Sequence, residues 1–491
     1  MITISFENHG KCGLCEYLYN SIKNQIVCGT LKSNEKLPSK RTLAQNLGVS
    51  VITVQNAYAQ LISEGYIYSI EKKGFFVTDL KPFEKETENS TFGQTEKKSE
   101  KFENCESDET QRGKDEKRTE ETESQKWFAD FGSNSTSYEK FPFNLWSHKM
   151  RQVLNSGDEK LLLRVGAKGV FELRLAISRY LKEFRNMSVN PEQIVIGAGT
   201  ENLYSMVVQL LGRNNLFAVE NPGYQKVLYV CKLNGAKAIP IKIDSQGIDI
   251  NELENSKVNI VHVSPSHHFP TGIVMPIRRR QEILTWAQNA ENRYIIEDDY
   301  DSEFRFSGKP LPTLQSADKN GKVIYINTFS KTLAPSFRIS YMVLPQKLIP
   351  EFEQKIGFYS CPVSSFEQFT LAKFIYDGSY GKHIIRMKNF YRNLRNSLIS
   401  AIETSRFAKF CKIQEQEAGL HFLLTIESNF SPDELVHRLS EQKINMPLLN
   451  DFYYNKIVSS QTNTFVVNYS GIKKSRIPEI VNRMEKVILD E

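Results

Sequence analysis

The chain has 491 residues with 63 basic and 57 acidic groups, a net charge of +6, and 40% apolar residues. That length allows two to four domains, and that apolar share supports a sizeable core and excludes a wholly disordered chain. Seven cysteines are too few for a disulfide scaffold, no apolar run is long enough to span a membrane, and the start MITISFENH has no signal-peptide pattern; a cytoplasmic protein is expected.

In chain order, Leu14, Leu18, Ile22 and Ile26 recur at helical spacing, and Gly29 ends that helix. Leu37-Pro38-Ser39 opens a second helix, capped by Ser39 and carrying Leu43, Ala44 and Leu47. Gly48-Val49 turns the chain, and Ser50 caps a third helix. Val54, Ala57 and Leu61 share one face of it, and Gly65 ends it. Residues 66–70 and 75–78, joined by Glu71-Lys72-Lys73-Gly74, read as a two-stranded wing. This is a winged helix-turn-helix pattern over residues 1–80. Its third helix would enter the DNA major groove with Val51, Ile52, Thr53, Gln55 and Asn56 foremost. Gln and Asn suit adenine edges, and Lys40, Arg41, Lys72 and Lys73 suit phosphates.

Residues 81–126 differ in kind. Twenty-four of these 46 residues are charged, and Phe83, Phe92 and Phe102 are the only large apolar ones. Such a stretch buries too little apolar surface to offset its ordering entropy, so a flexible linker is expected. As a random coil it would span about 40 Å.

Over residues 127–491, short apolar runs (193–196, 216–219, 259–263, 294–296, 323–326) alternate with helical patterns. That alternation predicts an α/β domain with a mostly parallel sheet covered on both faces. Chemistry-bearing residues follow several of these runs. Thr328-Phe329-Ser330-Lys331 comes just after the run at 323–326, and lysine amines form Schiff bases with carbonyl cofactors. Arg338, seven residues on, suits a phosphate. Glu297-Asp298-Asp299-Tyr300 ends another strand in carboxylates, as a pyridinium nitrogen requires of its partner. Gly197-Ala198-Gly199-Thr200-Glu201 opens a helix, where backbone N–H groups bind anions. Asn221-Pro222-Gly223-Tyr224 offers a ring for stacking.

These patterns resemble known families. LPSKRTLAQNLGVSVITVQNAYAQLISEGY is similar to the GntR-type DNA-binding domain, with Val51 where members often carry Arg. Residues 127–491 resemble the fold type I aminotransferases, which use pyridoxal phosphate (PLP). EDDYDSEFRF, SPSHHFPTG, NTFSKTLAPSFRISYMVLP, GKHIIRMKNFYRNLR and AGLHFLL resemble the MocR-type branch of the GntR regulators, in which both domains occur in this order. The resemblance implies a homodimer that binds operator DNA and senses a small molecule, either PLP itself or an amine or amino-acid-type metabolite. It implies a Schiff base of PLP on Lys331, with Asp298 at the ring nitrogen, Tyr300 at the ring oxygen and Tyr224 stacked on the ring. Gly199, Thr200, Thr328, Ser330 and Arg338 would surround the phosphate.

Three departures bear on catalysis. Phe269 precedes Pro270 where aminotransferases often carry Asn. Val466 stands at the usual position of the arginine that holds a substrate carboxylate. Lys226 replaces an arginine that some regulators carry after the stacking tyrosine. Little steady-state transamination is therefore expected, the alternative being an active aminotransferase with an accessory DNA-binding domain. Arg164 is read either as a surface residue or as one reaching the partner subunit's phosphate. His9, Cys12 and Cys15 are one ligand short of a structural zinc site, so no metal is expected. Cys28, Cys231, Cys361 and Cys411 are expected in the core. Packing or hydrogen-bonding roles are expected for His262, His383 and His421. A solvated face is expected for Arg278, Arg279 and Arg280.

Overall fold

A computed structural model describes residues 13–70, 73–79, 127–133, 136–137, 140–306, 311–454 and 462–490. The proposed linker, Lys72, His9 and Cys12 lie outside the described residues.

The N-terminal unit forms for local reasons. Helices run over Leu14–Val27, Lys40–Leu47 and Val51–Ser63. Ser39 and Ser50 cap the second and third, each hydroxyl accepting at 3.1 Å from the backbone N–H three residues on (Thr42, Thr53), which satisfies one of the free donors of a helix start. Gly48 ends the second helix in the left-handed region at φ 64°, where a side chain would be strained. Leu18, Ile22, Val54, Ala57, Tyr58 and Leu61 are wholly excluded from solvent, and the Tyr58 hydroxyl donates to the Pro38 carbonyl at 3.0 Å, tying the third helix to the turn before the second. The wing strands Ile67–Ile70 and Gly74–Val77 pair antiparallel, and a third strand, Lys36–Leu37, adds to the latter. Two residues long, that strand carries no readable alternation.

The large domain is built on an eight-stranded sheet. From one edge the strands are Ile194–Gly197, Ser340–Val343, Val323–Thr328, Tyr294–Asp298, Ile260–Val263, Leu216–Asn221, Lys237–Asp244 and Gly247–Ile248. Ser340–Val343 runs antiparallel to both neighbours and Gly247–Ile248 antiparallel to its own; the other neighbouring pairs are parallel. Alternate residues feed opposite faces, as the pleat demands: Ile194, Ile196 and Tyr325 pack into one apolar cluster, and Val195, Ile324 and Ile326 into another. A smaller antiparallel sheet of Cys411–Gln414, His421–Ile426 and Thr464–Asn468 packs with the long helix Ser379–Glu403 and the helices Pro432–Glu441 and Ile477–Ile488. Among the described residues no helix is long and apolar enough to cross a membrane.

The two units touch where the helix Ile277–Gln288 begins. The Ile277 N–H donates to the Glu64 carbonyl at 3.1 Å, and Ile277 joins the winged-helix core. Gly65 takes a left-handed φ of 77° here, which disfavours any side chain, and a Cβ would also lie a tight 3.1 Å from Pro276.

Two expectations fail. Arg279 and Arg280 are buried, not solvated. Arg279 pairs with Asp244 at 2.7 Å, and Arg280 donates to the carbonyls of Pro265, Met275 and Pro312 at 2.6 to 2.8 Å. A triple-Arg run looks solvated in sequence, but fork-shaped guanidinium groups can be buried when each donor finds an acceptor. Among the cysteines, Cys231 and Cys361 are buried, but Cys28 is exposed and Cys411 only half-buried; Cys28 caps the first helix, beyond its apolar face.

Candidate functional site

The carboxyl ends of parallel strands meet loops at one rim of the large sheet. There the chain encloses a cavity of about 450 Å³ lined by Thr200, Tyr224, Asp298, Tyr300, Thr328, Ser330, Lys331 and Arg338, together with Glu201, Lys226, Ser264, Phe269 and Pro335. Of the nine residues read from the sequence as a cofactor site, eight line this cavity. The ninth, Gly199, lies beside it: at φ 88° it is glycine-restricted, and a Cβ there would overlap the Arg338 guanidinium. Crevices outside the carboxyl ends of strands are where open α/β sheets bind ligands.

Lys331 follows the buried strand Val323–Thr328 by three residues. Burial drives its pKa down from 10.5 to about 8, with Asp301 opposing and Lys226 assisting. Its amine is thus partly neutral near physiological pH, as a nucleophile requires. Asp298 ends the neighbouring strand and is buried. Its Oδ2 accepts from the Tyr204 hydroxyl at 2.6 Å and lies 3.5 Å from His262 Nε2, while its Oδ1 is buried with no hydrogen-bond partner among the described residues. An unpaired buried carboxylate oxygen is costly, and a cationic N–H placed there would relieve it. His262 thus has the hydrogen-bonding role expected of it.

Among the phosphate candidates, Thr328 and Ser330 are hydrogen-bonded to each other. Thr328 Oγ1 accepts from the Ser340 hydroxyl at 2.8 Å and the Ser330 N–H at 3.2 Å, and Ser330 Oγ donates to the Phe337 carbonyl at 2.7 Å. Arg338 pairs with Glu201 at 2.6 Å. Tyr224 is held by its surroundings: the Tyr454 hydroxyl donates to its carbonyl at 3.3 Å, the Gly223 N–H donates to the Phe452 carbonyl at 3.1 Å, and Phe269 meets its ring edge-on at 6.2 Å.

Several residues here were not legible as site residues. Behind Tyr300, His267 Nδ1 lies 3.2 Å from its hydroxyl and 2.8 Å from Asp301 Oδ2, and the His421 ring sits 4.3 Å from that of His267. His267, Asp301 and His421 present ligand atoms within 4.8 Å of one another, one residue short of a closed structural zinc set. His268 bonds Thr271 at 2.7 Å, and burial drives its pKa down to about 3, so it is neutral. Glu220, its carboxylate accepting from the Ser264 N–H at 3.0 Å, is pushed up to about 8 by burial. His383 Nε2 contacts the Thr332 carbonyl at 2.7 Å, just past Lys331. Two of them had a usable signal: His268, which the family resemblance of the SPSHHFPTG loop places near the cofactor without a role, and Tyr204, four residues after Thr200 on the same helix. Arg164 bonds Ser360 Oγ at 2.7 Å and the Phe358 carbonyl at 2.8 Å on an exposed face outside the cavity. Val466 is buried mid-strand opposite Leu423.

The DNA-reading candidates sit as a group on the N-terminal unit. Val51, Ile52, Gln55 and Asn56 are exposed at the start of the third helix, with Thr53 half-buried beside the Ser50 cap. Arg41 and Lys73 are exposed, and Lys40 lies 5.4 Å over the Phe75 ring of the wing.

A helix presented for the major groove and a lysine-bearing cavity on an aminotransferase-type sheet define a transcriptional regulator built on an aminotransferase fold. Comparison with known proteins agrees. Residues 128–484 match aminotransferases of class I and II, and residues 14–77 match the bacterial regulatory proteins of the gntR family. The HTH-type transcriptional regulator YdeL of Bacillus subtilis is 34% identical, covering 96% of this chain and 96% of its own. MocR of Rhizobium meliloti, a probable rhizopine catabolism regulatory protein, is 28% identical over 96% of this chain and 93% of its own. The multiple substrate aminotransferase of Thermococcus profundus superposes with a TM-score of 0.65 at 25% identity, covering 75% of this chain and 92% of that one. The chain belongs to the MocR-type branch of the GntR transcriptional regulators.

Proposed function

We propose that the cavity holds pyridoxal phosphate on Lys331 and that its occupancy sets the affinity of the winged helices for operator DNA in a cytoplasmic homodimer. One observation carries the reading. Asp298, whose buried Oδ1 has no hydrogen-bond partner among the described residues, lines the same cavity as Lys331, whose pKa is lowered to about 8. A pyridinium N–H supplies the donor that this oxygen lacks, and an aldehyde supplies the electrophile that a partly neutral amine takes.

Bound there, pyridoxal phosphate supplies that aldehyde and an electron-withdrawing ring. The chain's own groups orient it. Tyr204 and His262 fix Asp298 through Oδ2, leaving Oδ1 for the ring nitrogen. Burial raises the Tyr300 pKa well above its usual 10.0, so its hydroxyl keeps its proton as a donor to the ring oxygen. Tyr224 offers its pinned ring for stacking. Gly199, Thr200, Thr328, Ser330 and Arg338 take the phosphate, Ser330 by turning its hydroxyl from Phe337. The buried Val466 offers no guanidinium to a substrate carboxylate, which favours a sensor over a turnover enzyme. The ligand sensed is PLP itself, or an amine or amino-acid-type molecule that displaces Lys331.

A ligand acts only through unequal affinity for two arrangements of the protein. Residues 264–277 form a physical route between the sites: Ser264 lines the cavity, Arg280 holds the carbonyls of Pro265 and Met275, and Ile277 meets the end of the reading helix. Gln55 and Asn56 would read base edges, and Lys40, Arg41, Lys72 and Lys73 would hold phosphates. Two such helices in a dimer would read two half-sites.

The test combines absorption and DNA binding. Purified protein titrated with PLP is expected to gain a visible band that the Lys331→Ala variant lacks. Affinity for duplexes selected from a random pool is expected to change on loading, with PLP alone or with an added amine. A band identical in both proteins, or DNA affinity indifferent to loading, refutes the proposal.

A further inference from the structure

The cradle assigned above to the phosphate already has an anion in it. Glu201 is the second residue of the helix Thr200–Leu211. Its Oε2 accepts from Arg338 Nη2 at 2.6 Å, and its Oε1 lies 3.6 Å from Lys226 Nζ. The residue sits at the start of that helix, where backbone N–H groups lack intrahelical partners. Its carboxylate lies against Gly199, with Oε2 3.0 Å from where a Cβ of that glycine would stand. One carboxylate thus engages an arginine and a lysine at a helix N-terminus, the surroundings a phosphate group uses. Burial works to raise its pKa, but the backbone N–H, Arg338 and Lys226 prevail and hold it below the usual range. The group is therefore ionised at neutral pH.

We propose that Glu201 is an internal competitor for the cofactor's phosphate: it occupies the cradle when the pocket is empty, and loading requires it to withdraw from Arg338. The proposal rests on the reading of the pocket given above. Its physical basis is like-charge repulsion. A phosphate arriving at Arg338 carries about two negative charges, and placing it within about 4 Å of a retained carboxylate is unfavourable even in a partly solvated site. Displacement therefore takes part of the binding energy. Loaded and empty pockets then differ in where Glu201 points, and the cofactor is held weakly enough for its free concentration to decide occupancy. The competing account makes Glu201 a support that orients Arg338 for the phosphate. The two accounts predict opposite signs for the same substitution.

The experiment titrates the full-length protein and its Glu201→Gln variant with PLP, and separately with pyridoxal, which has the same aldehyde and ring but no phosphate. Binding is read from the Lys331-dependent visible band and from equilibrium dialysis. Glutamine keeps the size of the side chain and removes the charge. Competition predicts that Glu201→Gln tightens PLP binding by about tenfold, the scale of one partly screened charge contact, and does not tighten pyridoxal binding. Inorganic phosphate should also block PLP loading at lower concentration in the variant. Equal or weaker PLP binding in the variant overturns the proposal while leaving PLP as the ligand. Equal tightening for PLP and pyridoxal overturns it too, because the effect would then not run through the phosphate. A band in neither protein overturns both this proposal and the reading beneath it.

Discussion

The two functional regions of this chain are made in opposite ways. In the winged helix, the candidate base contacts Val51, Ile52, Gln55 and Asn56 are exposed side chains at the start of one short helix, positioned by a Ser50 cap three residues from Thr53 and by an apolar face on the same helix. In the large domain, the groups around the candidate cofactor cavity come from helix starts and strand ends far apart in sequence, as with Tyr204 and Asp298, 94 residues apart. A surface reader can be assembled locally because water does most of the solvating. A buried reactive site needs the whole sheet, because each polar group taken from water must meet a partner.

That contrast can be broken or sharpened by experiment. The largest effect expected is the pH dependence of cofactor capture. The folded-state pKa of Lys331, about 8, lies below the ordinary 10.5, so the reactive neutral amine dominates only above pH 8. The rate of PLP capture should rise about tenfold per pH unit below that point and level off above it, in stopped-flow absorbance. A plateau beginning near pH 10 would mean that burial does not activate the lysine.

Next is Gly199→Ala. It places a Cβ at φ 88° against Arg338. About 1–3 kcal/mol of strain predicts roughly tenfold to hundredfold weaker PLP binding, measured by dialysis, with DNA-binding residues untouched. Gln55→Ala tests the other region: about 1–3 kcal/mol of discrimination at one base pair should disappear, with the PLP band unchanged. The smallest effect is Ser50→Ala. Loss of the cap should cost about 1 kcal/mol and lower the melting temperature of the winged helix by a few degrees, without moving the large domain's transition. If Ser50→Ala or Gln55→Ala altered PLP affinity as much as Gly199→Ala does, the contrast between local and assembled sites would fail.

The same contrast explains what could be read in advance. Candidate cofactor residues adjacent to strand ends, such as Lys331 and Asp298, carried a sequence signature because strand, turn and reactive group are contiguous. His267, Asp301 and His421 carried none as a group: they come from three loops or strands and meet only in the folded domain. Arg279 and Arg280 misled for a related reason, since their acceptors at Asp244 and Pro265 lie outside the local window.

The sequence alone determined the winged helix-turn-helix pattern and the alternation of strands and helices in the large domain. These follow from periodicity, caps and turn residues, which act over a few positions. Only the tertiary structure decided that one Asp298 oxygen has no partner among the described residues, that Glu201 lies on Arg338, and that Ile277 meets the end of the third helix. Those are contacts between segments distant in the chain, set by how sheet and helices pack, and local sequence carries no record of them.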